Sequence, residues 1–437
     1  MLPTTWWGCD VHKDDMDGLT RRGFLKASCG ASAAAFLTGL NLVTFEDVAA
    51  AAVRNPLPAG EQILVLVTLY GGNDGLNTVI PYTNPQYAKL RNELAYGGSE
   101  VLQLNAELGL NPGMAGFKSL WDNGKLAIVQ GVGYPQSNHS HFTSMDIWQT
   151  ANPTSPTGTG WVGRWLDHTK SEPLAALNIG TTMPPLLVGK QVSGSTLPIS
   201  GLRVPQGRLR PQLRKLGNTE PGMESLRESA AKAIADWYGT AYTTTDALRA
   251  DLPEVADPAE EVAGATGTGG EGQLGEQLAV VARLINANVP TRVYSVSLGG
   301  FDTHSNEKGT QTALLRQVSS AINNFMRQIG ASSRANDVTV FVYSEFGRRV
   351  PANLNQGTDH GTAGPAFIIG PRVKGGFYGE QPSLTNLRND DLEVGIDFRD
   401  LYASLLESVL GTEAAPVLGT WAGRLDFAQP PVATPAS

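Results

Sequence analysis

DVTVFVYSEFGRRVPANLNQGTDHGTAGPAFIIG, residues 337–370, is the stretch that decides the fold. It predicts a buried strand that ends at the carboxylate of Glu345, a polar loop that carries Asp359 and His360, and then a second apolar strand. The stretch therefore brings acidic and imidazole groups to one edge of a sheet. Ligands of α/β proteins bind at the carboxyl ends of the strands, so we expect the functional site at this edge.

The chain before this stretch predicts a β-α-β unit, whose two strands must run parallel. The apolar run 291–298 predicts the first strand, and the segment between Leu314 and Ile329 has the i, i+3 and i+4 stripe of a helix that lies on a sheet. A further uninterrupted apolar run, residues 63–69, is typical of a strand covered on both faces. We therefore expect an α/β fold with a central, mostly parallel sheet that is flanked by helices on both faces.

Two of these predicted strands end in glycines that are followed by hard metal ligands. Residues 70–75, YGGNDG, contain Asp74, and residues 299–304, GGFDTH, contain Asp302 and His304. Glycines let the backbone turn sharply and approach a ligand, and residues two apart in an extended segment project to the same side. An Asn-Asp-Gly turn without chemistry is the alternative at Asp74.

Segment 133–142, GYPQSNHSHF, leads from another predicted strand into a predicted helix. A hydroxyl at a helix N-terminus faces a dipole that favours anions, which makes Ser140 or Ser144 a candidate nucleophile. His139 or His141 is a candidate metal ligand or proton-transfer group. Capping serines and surface histidines are the alternative.

The composition indicates a globular protein and excludes several functional classes. The chain has 437 residues, of which 41% are hydrophobic and 17% charged. A net charge of -8, without a basic run interleaved with aromatic residues, disfavours a nucleic-acid binder. A redox protein is disfavoured because the chain has neither a haem-binding Cys-x-x-Cys-His nor a dinucleotide-binding G-x-G-x-x-G at the GGNDG turn.

The N-terminus predicts export by the twin-arginine route. Residues 20–26, TRRGFLK, precede an Ala-rich apolar run and a candidate A-x-A cleavage site near Ala50. We therefore expect a signal peptide over 1–52, engagement of the twin-arginine export machinery, and a periplasmic or secreted mature protein. A stable membrane span is not expected, because the apolar run falls short of the ~20 residues that a bilayer requires. Since Cys9 and Cys29 both lie in this segment, the mature chain has no cysteine nucleophile, cysteine-ligated zinc or disulfide.

The rest of the chain predicts one domain, residues 57–425, with insertions. The acidic, Ala- and Gly-rich segment 251–275 predicts a flexible surface loop, and the Pro- and Ala-rich residues 426–437 predict a loose tail. The insertions at 152–160 and 184–275 contain no motif that identifies a substrate, and nothing in the sequence indicates the oligomeric state.

The signal and an ordered set of motifs together resemble the exported bacterial domain-of-unknown-function family 1501. The motifs are LVTLYGGNDGLNTVIPY at 66–82, SHF and DIW within 140–148, GGFDTH, SEFGRRV and GTDHGTA. That family in turn resembles the alkaline phosphatase and sulfatase superfamily. Members of the superfamily hold one or two metal ions at the carboxyl ends of a central sheet and use a Ser, Thr or modified Cys nucleophile. The resemblance implies the same kind of fold here.

The resemblance also implies roles for individual residues. Ser140 lies near the position of the nucleophile, and Glu345 with Phe346 stands where the superfamily often has Asp and His. An alternative register aligns Asp359 and His360 with that Asp-His pair. Independently of the resemblance, Arg348 or Arg349 is a candidate to neutralise developing charge, with a solvated loop or a salt bridge to Asp359 as the alternative. The predicted metal ligands are Asp74, Asp302, His304, Glu345, Asp359 and His360, and the predicted catalytic residues are Ser140, His141 and Arg348.

These features predict a metal-dependent hydrolase of phosphate or sulfate esters, acting on a small-molecule or polymeric substrate. Mixed carboxylate and imidazole ligands suit Zn, Mn, Mg or Ca. The alternative is a catalytically inactive exported binding or assembly protein of the same fold, because Phe346 replaces one expected imidazole.

Overall fold

The computed structural model describes residues 43, 45–156, 158–198 and 273–429 of the chain. Most of the predicted signal peptide and nearly all of the predicted flexible loop at 251–275 lie outside the described residues. The predicted domain is described on both sides of this gap.

The described strands and helices include those that position the functional site. The strands are β1 (Ile63–Leu69), β2 (Val79–Ile80), β3 (Leu102–Gln103), β4 (Gly109–Leu110), β5 (Leu126–Gly133), β6 (Ala176–Ile179), β7 (Ser195–Leu197), β8 (Val293–Leu298), β9 (Val338–Ser344), β10 (Gly364–Ile369), β11 (Gly376–Tyr378) and β12 (Ile396–Asp397). The helices are α1 (Phe45–Arg54), α2 (Pro85–Arg91), α3 (Ala115–Asp122), α4 (His141–Thr150), α5 (Trp161–Thr169), α6 (Leu274–Asn286), α7 (Glu307–Gly330), α8 (Phe398–Ser408) and α9 (Ala415–Leu418). Short 3₁₀ turns occur at Asn92–Leu94, Pro173–Ala175 and Pro185–Leu187.

A nine-stranded sheet forms the centre of the molecule. Its order is β11-β5-β10-β9-β1-β8-β6-β7, and β12 also pairs with β5. The strand β1 pairs in parallel with β8 on one side and β9 on the other. Among the described strands of this sheet, only β10 is reversed, because it is antiparallel to both of its neighbours, β9 and β5. The predicted α/β fold with a mostly parallel sheet is therefore confirmed.

Helices cover both faces of this sheet. Alternate residues of β1 belong to two different cores: Val65 and Val67 lie in the one beneath α3, α6 and α7, and Leu64 and Leu66 lie in the one beneath α4, α5 and α8. Every residue of β1 is buried as a result. This double coverage explains why the strand is an unbroken apolar run.

The helix α7 connects β8 to β9, as the apolar stripe predicted. Its buried residues include Leu314, Val318 and Ile329, and both strands lie parallel to β1, which separates them. The carboxyl ends of β8, β1 and β9 therefore lie at one edge of the sheet. Because β10 is antiparallel, the loop that enters it reaches the same edge.

The described residues near the two ends of the chain pack on the core. Val48 of α1 is fully buried, so the predicted cleavage region lies against the sheet in this chain. Phe427 is buried, Ala428 pairs with Val373, and the amide of Gln429 donates to Arg372, so the described part of the predicted tail packs on the core, while residues 430–437 lie outside the described residues. Within the described ranges, no helix combines the length and the apolarity needed to cross a membrane.

Candidate metal centre

Four side chains converge at the carboxyl edge of the sheet, and we call them the His-Asp cluster: His141, Asp302, His304 and His360. Oδ1 of Asp302 lies 3.0 Å from Nε2 of His304, 3.1 Å from Nε2 of His360 and 3.4 Å from Nε2 of His141. Nε2 of His360 lies 3.0 Å from Nε2 of His141 and 2.9 Å from Nε2 of His304. The cluster thus joins the loop after β8, the start of α4 and the loop before β10.

Hydrogen bonds on the outer side of the rings direct the Nε2 atoms inward. Nδ1 of His141 lies 2.8 Å from the buried carboxylate of Glu345, and Nδ1 of His360 donates to the backbone oxygen of His139 at 2.7 Å. An acceptor at Nδ1 keeps a proton on that nitrogen, so Nε2 of the neutral ring carries a lone pair. In the neutral rings Nε2 is therefore the nitrogen that can bind an ion, and in a protonated ring the same Nε2 donates a hydrogen bond to Asp302.

This donor set fits a divalent cation. Lone pairs and a carboxylate oxygen about 3 Å apart repel one another unless a proton or a metal ion lies between them. Among the described residues, His141, Asp302 and His360 form the group whose ligand atoms all lie within 4.8 Å of one another. Their separations suit ligands of one tetrahedral ion, which lie about 3.4 Å apart when bond lengths are about 2.1 Å. His304 extends the group beside His360 and Asp302.

Electrostatics in the cluster favour a charged Asp302. Burial opposes its ionisation, but hydrogen bonds from His141, His360 and Arg348 outweigh burial and hold the pKa of this carboxyl far below its ordinary value. Burial alone would lower the pKa of His141, but Asp302 and Glu345 raise it to about 9. Burial and the charge of Arg348 lower the pKa of His304. Asp302 is therefore the anionic centre of the cluster.

Arg348 is buried behind the cluster and holds Asp302 in place. Its side chain is buried, and Nε donates to the backbone oxygen of Gly72 at 2.6 Å while Nη1 donates to that of Thr358 at 2.9 Å. Nη2 donates to Oδ1 of Asp302 at 2.7 Å and to the backbone oxygen of Gly71. The guanidinium thus ties the loops after β1 and β9 together and positions Asp302, and the charge-neutralising role stays a prediction.

Glu345 lies behind the cluster. It is fully buried, and its Oε1 accepts hydrogen bonds from the amide of Gly71 and from His141, each at 2.8 Å. Oε2 accepts one from the hydroxyl of Ser344 at 2.9 Å. The carboxylate that was predicted as a ligand therefore holds a ligand, His141, in place.

Asp74 does not join the cluster. Its carboxylate binds the guanidinium of Arg91 through two contacts of 2.5 and 2.7 Å, and all of these groups are buried. Glu307 lies 3.9 Å from the same guanidinium. Burial disfavours both carboxylates, but Arg91 keeps the pKa of Asp74 lowered, whereas burial and the charge of Asp74 raise the pKa of Glu307. Asp74 was predicted to be a metal ligand. The structure instead places it in a buried ion pair with Arg91, which fixes the loop after β1.

Three further predicted residues surround the cluster: Asp359 and Ser140 are exposed beside it, and Ser144 is buried behind it. Asp359 is exposed, with Oδ1 3.5 Å from Nδ1 of His304. Ser140 is the exposed N-cap residue of α4, and its side chain makes no capping hydrogen bond. Ser144 is buried and donates to the backbone oxygen of Glu345 at 2.7 Å, so its hydroxyl has a structural role.

Two supporting features were not identified from the sequence. Arg91 lies in a helix, and no local pattern indicates that its partner is Asp74. The ring of Phe346 lies against two cluster imidazoles, with centroids 4.9 Å from His141 and 5.0 Å from His360. The SEFGRRV motif marked its position but not its packing role.

A family model described as "Protein of unknown function (DUF1501)" matches residues 61–425. No curated protein matches the chain.

Three solved structures illustrate the similarity. One is a protein of the alkaline phosphatase superfamily from Vibrio parahaemolyticus, with 13% identity over 85% of this chain and 71% of that chain and a TM-score of 0.39. Another is murine ectonucleotide pyrophosphatase/phosphodiesterase 5 in complex with AMP, with 9% identity over 81% of this chain and 96% of that chain and a TM-score of 0.37. The third is a sulfatase from Pseudoalteromonas sp., with 10% identity over 83% of this chain and 70% of that chain and a TM-score of 0.37. These likenesses concern the fold alone.

Proposed function

The chain belongs to the DUF1501 family of proteins of unknown function over residues 61–425, and we propose that it is an exported, metal-dependent hydrolase of phosphate or sulfate esters. The observation that carries the proposal is the His-Asp cluster, in which imidazole Nε2 atoms surround one oxygen of Asp302 at 3.0 to 3.4 Å. A carboxylate surrounded by imidazole nitrogens is a natural cation site.

His141, Asp302 and His360 would hold the ion, which is Zn, Mn, Mg or Ca by ligand type, and His304 lies beside Asp302 and His360. Such an ion supplies positive charge that polarises an ester oxygen and lowers the pKa of an attacking hydroxyl or water. The side chain of His304 is 44% exposed, compared with 10% for that of His141. Substrate would therefore approach the cluster from the side of His304.

Ser140 is the candidate nucleophile among the residues of the chain. It precedes His141, lies at the N-terminus of α4, and its exposed hydroxyl is not used for capping. The partial positive charge of a helix N-terminus favours a phosphate or sulfate group there. In the first step the bond from Oγ to phosphorus or sulfur forms while the bond to the alcohol oxygen breaks, and the serine proton ends on the alcohol. In the second step water attacks the phosphorus or sulfur, the bond to Oγ breaks, one proton of the water returns to Oγ, and phosphate or sulfate is released. A water that attacks directly in place of Ser140 is the other candidate.

Metal analysis and activity measured on the same samples test this proposal. Protein purified without chelator is analysed for bound metal and assayed with 4-nitrophenyl phosphate, bis(4-nitrophenyl) phosphate and 4-nitrophenyl sulfate. We expect bound metal, turnover of at least one ester, and loss of both in Asp302→Ala and His360→Ala. His168→Ala is the matched control, since His168 is an exposed histidine on α5. A metal-free, inactive protein whose Asp302→Ala variant folds normally would contradict the proposal.

A metal-binding protein without catalysis is the second candidate. Two observations favour it: Phe346 packs between cluster imidazoles, and Arg348 is engaged by backbone oxygens and Asp302 rather than free for a substrate. Metal bound in full, with no turnover of any of the three esters, would support this candidate.

Export by the twin-arginine route is part of the same proposal and has its own test. The paired change Arg21→Lys and Arg22→Lys keeps the charge but removes the twin arginines. We expect the protein to stay inside the cell in this variant, whereas the unchanged chain is recovered outside the cytoplasmic membrane. Equal distribution of both proteins would contradict this part of the proposal.

A further inference from the structure

The face of the sheet beneath α4 changes from apolar to polar along its strands. On β1, Leu64 and Leu66 lie in the core, and the next residue on that face is Thr68. On β8, the same face carries Ser295 and then Ser297, and Ser297 lies beside Thr68 in the parallel register. Alternate residues of a strand share a face, so this polar patch is a property of the strands themselves.

A cavity of about 370 Å³ lies over this polar patch. Its floor includes Thr68, Ser295 and Asn178, and Asn178 lies beside Ser295 in the pairing of β6 with β8. Tyr70 and Gln149 form part of its wall. The volume lies within the range of small-molecule sites, and the carboxyl halves of parallel strands are where α/β proteins bind ligands.

The lining residues that the structure describes include no charged side chain. A charged ligand would be desolvated there without a counter-charge, which is costly. Hydroxyl and amide groups on the floor offer donors and acceptors, while the rim residues Met183, Pro184 and Pro185 offer apolar contact. This combination matches the two chemical faces of a sugar ring, which has a hydroxylated edge and an apolar CH face.

Part of the wall is already ordered for binding. Nε2 of Gln149 donates to the hydroxyl of Tyr70 at 2.9 Å, and Oε1 of Gln149 accepts from the amide of Leu186 at 3.3 Å. The tyrosine ring and the rim loop are thus held by one glutamine. Groups fixed before binding lose less entropy when a ligand arrives.

We propose that this cavity is a binding site for a neutral, polyhydroxylated ring, namely one unit of an uncharged carbohydrate. The site is separate from the His-Asp cluster: His141 and Gln149 lie about 12 Å apart along α4 at ~1.5 Å per residue. No member of the cluster lines the cavity. The inference therefore stands whether or not the cluster binds metal.

Binding of sugars to the full chain tests the proposal, with EDTA present so that the metal proposal has no influence on the result. The probes are the neutral methyl α-glycosides of glucose, galactose and mannose, compared with glucuronate and glucosamine, and binding is followed by saturation-transfer NMR and calorimetry. We expect at least one neutral glycoside to bind saturably with a Kd on the order of 1 mM, as suits a ligand of this size. The charged sugars should bind at least about tenfold more weakly, because the described lining residues offer no counter-charge. Absence of saturable binding by all neutral probes, or equal binding of the charged ones, overturns the proposal.

Variants locate the bound sugar. Ser295→Ala removes one floor hydroxyl and should weaken binding about fivefold to tenfold, the value of one hydrogen bond. Ser295→Leu fills the floor and should abolish binding. Ser320→Ala is the matched control, because Ser320 is exposed on α7 over the opposite face of the sheet, and it should bind like the unchanged chain. If both Ser295 variants retain full affinity, the sugar binds elsewhere and the proposal fails.

Discussion

Oε1 of Glu345 lies 2.8 Å from Nδ1 of His141, and the same oxygen accepts the amide proton of Gly71. The carboxylate is fully buried and reaches the imidazole across 204 residues of chain. A carboxylate on the outer nitrogen of a ligating histidine fixes the tautomer, orients the ring and raises its basicity. Glu345 therefore acts on the metal centre through His141.

The first prediction removes the charge of this carboxylate. Glu345→Gln keeps the shape of the side chain but no longer supplies an anion to Nδ1. We expect the affinity for Zn to fall about 10- to 100-fold, the usual effect of losing an outer-sphere partner. Competition with a chromophoric chelator measures the affinity, and a urea titration measures stability on the same sample.

Glu393→Gln is the matched control for this variant, because Glu393 is exposed. Its Zn affinity should equal that of the unchanged chain. A Glu345→Gln protein with unaltered affinity would show that Glu345 serves the fold and not the metal centre.

The parts of the site that follow strands could be predicted from the sequence, because they depend on local patterns. Asp302 and His304 come directly after a buried strand and two glycines, and His360 precedes another apolar strand. Parallel strands bring such residues to one edge whatever their order in the sheet. The order itself was not predicted, since nothing local specifies that β1 lies between β8 and β9 or that β10 is reversed.

Asp74 shows why the other parts of the site could not be predicted from the sequence. Its position after β1 is that of a ligand, and its strand and glycines were identified correctly. Whether Asp74 binds a metal or forms an ion pair depends on Arg91, whose side chain reaches Asp74 only because α2 folds back over the loop. The choice between ligand and ion pair is thus made by a tertiary contact that leaves no periodic signal in either segment.

The second prediction concerns this buried ion pair. Asp74→Ala leaves the guanidinium of Arg91 buried, and Glu307, at 3.9 Å, is then the one carboxyl beside it among the described residues; without Asp74, the charge that raises the pKa of Glu307 is gone. Breaking a buried pair typically costs about 3–5 kcal/mol, and we expect the lower part of that range because Glu307 offers partial compensation. Urea denaturation measures the loss in the free energy of unfolding.

Metal affinity separates the two roles of Asp74. Below the unfolding transition, the Asp74→Ala protein should bind Zn within about threefold of the unchanged chain, since a ligand loss would cost at least about tenfold. A stably folded Asp74→Ala protein that has lost its metal would restore the role of Asp74 as a ligand.

The third prediction concerns the close approach of two loops at Gly71. Its φ is +117°, and a Cβ there would clash with the backbone nitrogen of Asp302 and lie 2.7 Å from the carbonyl carbon of Phe301. Gly71→Ala must therefore displace the loop that carries Asp302. We expect a loss of about 2–3 kcal/mol in unfolding free energy together with weaker Zn binding, measured by urea titration and chelator competition.

Gly309→Ala is the control for the Gly71 variant. Gly309 lies in α7, and a Cβ there would meet nothing within 4 Å. Alanine in a helix is favoured over glycine by about 0.5–1 kcal/mol, so this variant should gain stability and keep its metal. Equal behaviour of the two alanine variants would contradict the steric argument.

The last prediction is a dependence of stability on pH that originates far from the cluster. The carboxylate of Asp167 on α5 accepts backbone N–H groups from Lys190 at 2.6 Å, Gln191 at 2.8 Å and Val192 at 2.7 Å. Partial burial opposes ionisation, but these donors outweigh it and lower the pKa of Asp167. A carboxyl whose pKa is lower in the folded state stabilises the fold above its unfolded pKa, near 4, and loses this contribution as the pH falls through the folded value.

Asp167→Asn should therefore destabilise the protein by about 1–2 kcal/mol at neutral pH, the scale of hydrogen bonds to a charged group. The difference from the unchanged chain should shrink as the pH is lowered from about 7 to about 3, because the wild-type carboxylate becomes protonated. Urea midpoints across this range measure the effect. Asp122→Asn, which breaks an exposed helical pair with Lys118, should change stability by less than about 0.5 kcal/mol throughout. If Asp167→Asn destabilises the protein equally at every pH, the prediction is wrong. The loss would then come from the changed shape of the side chain and not from the loss of its negative charge.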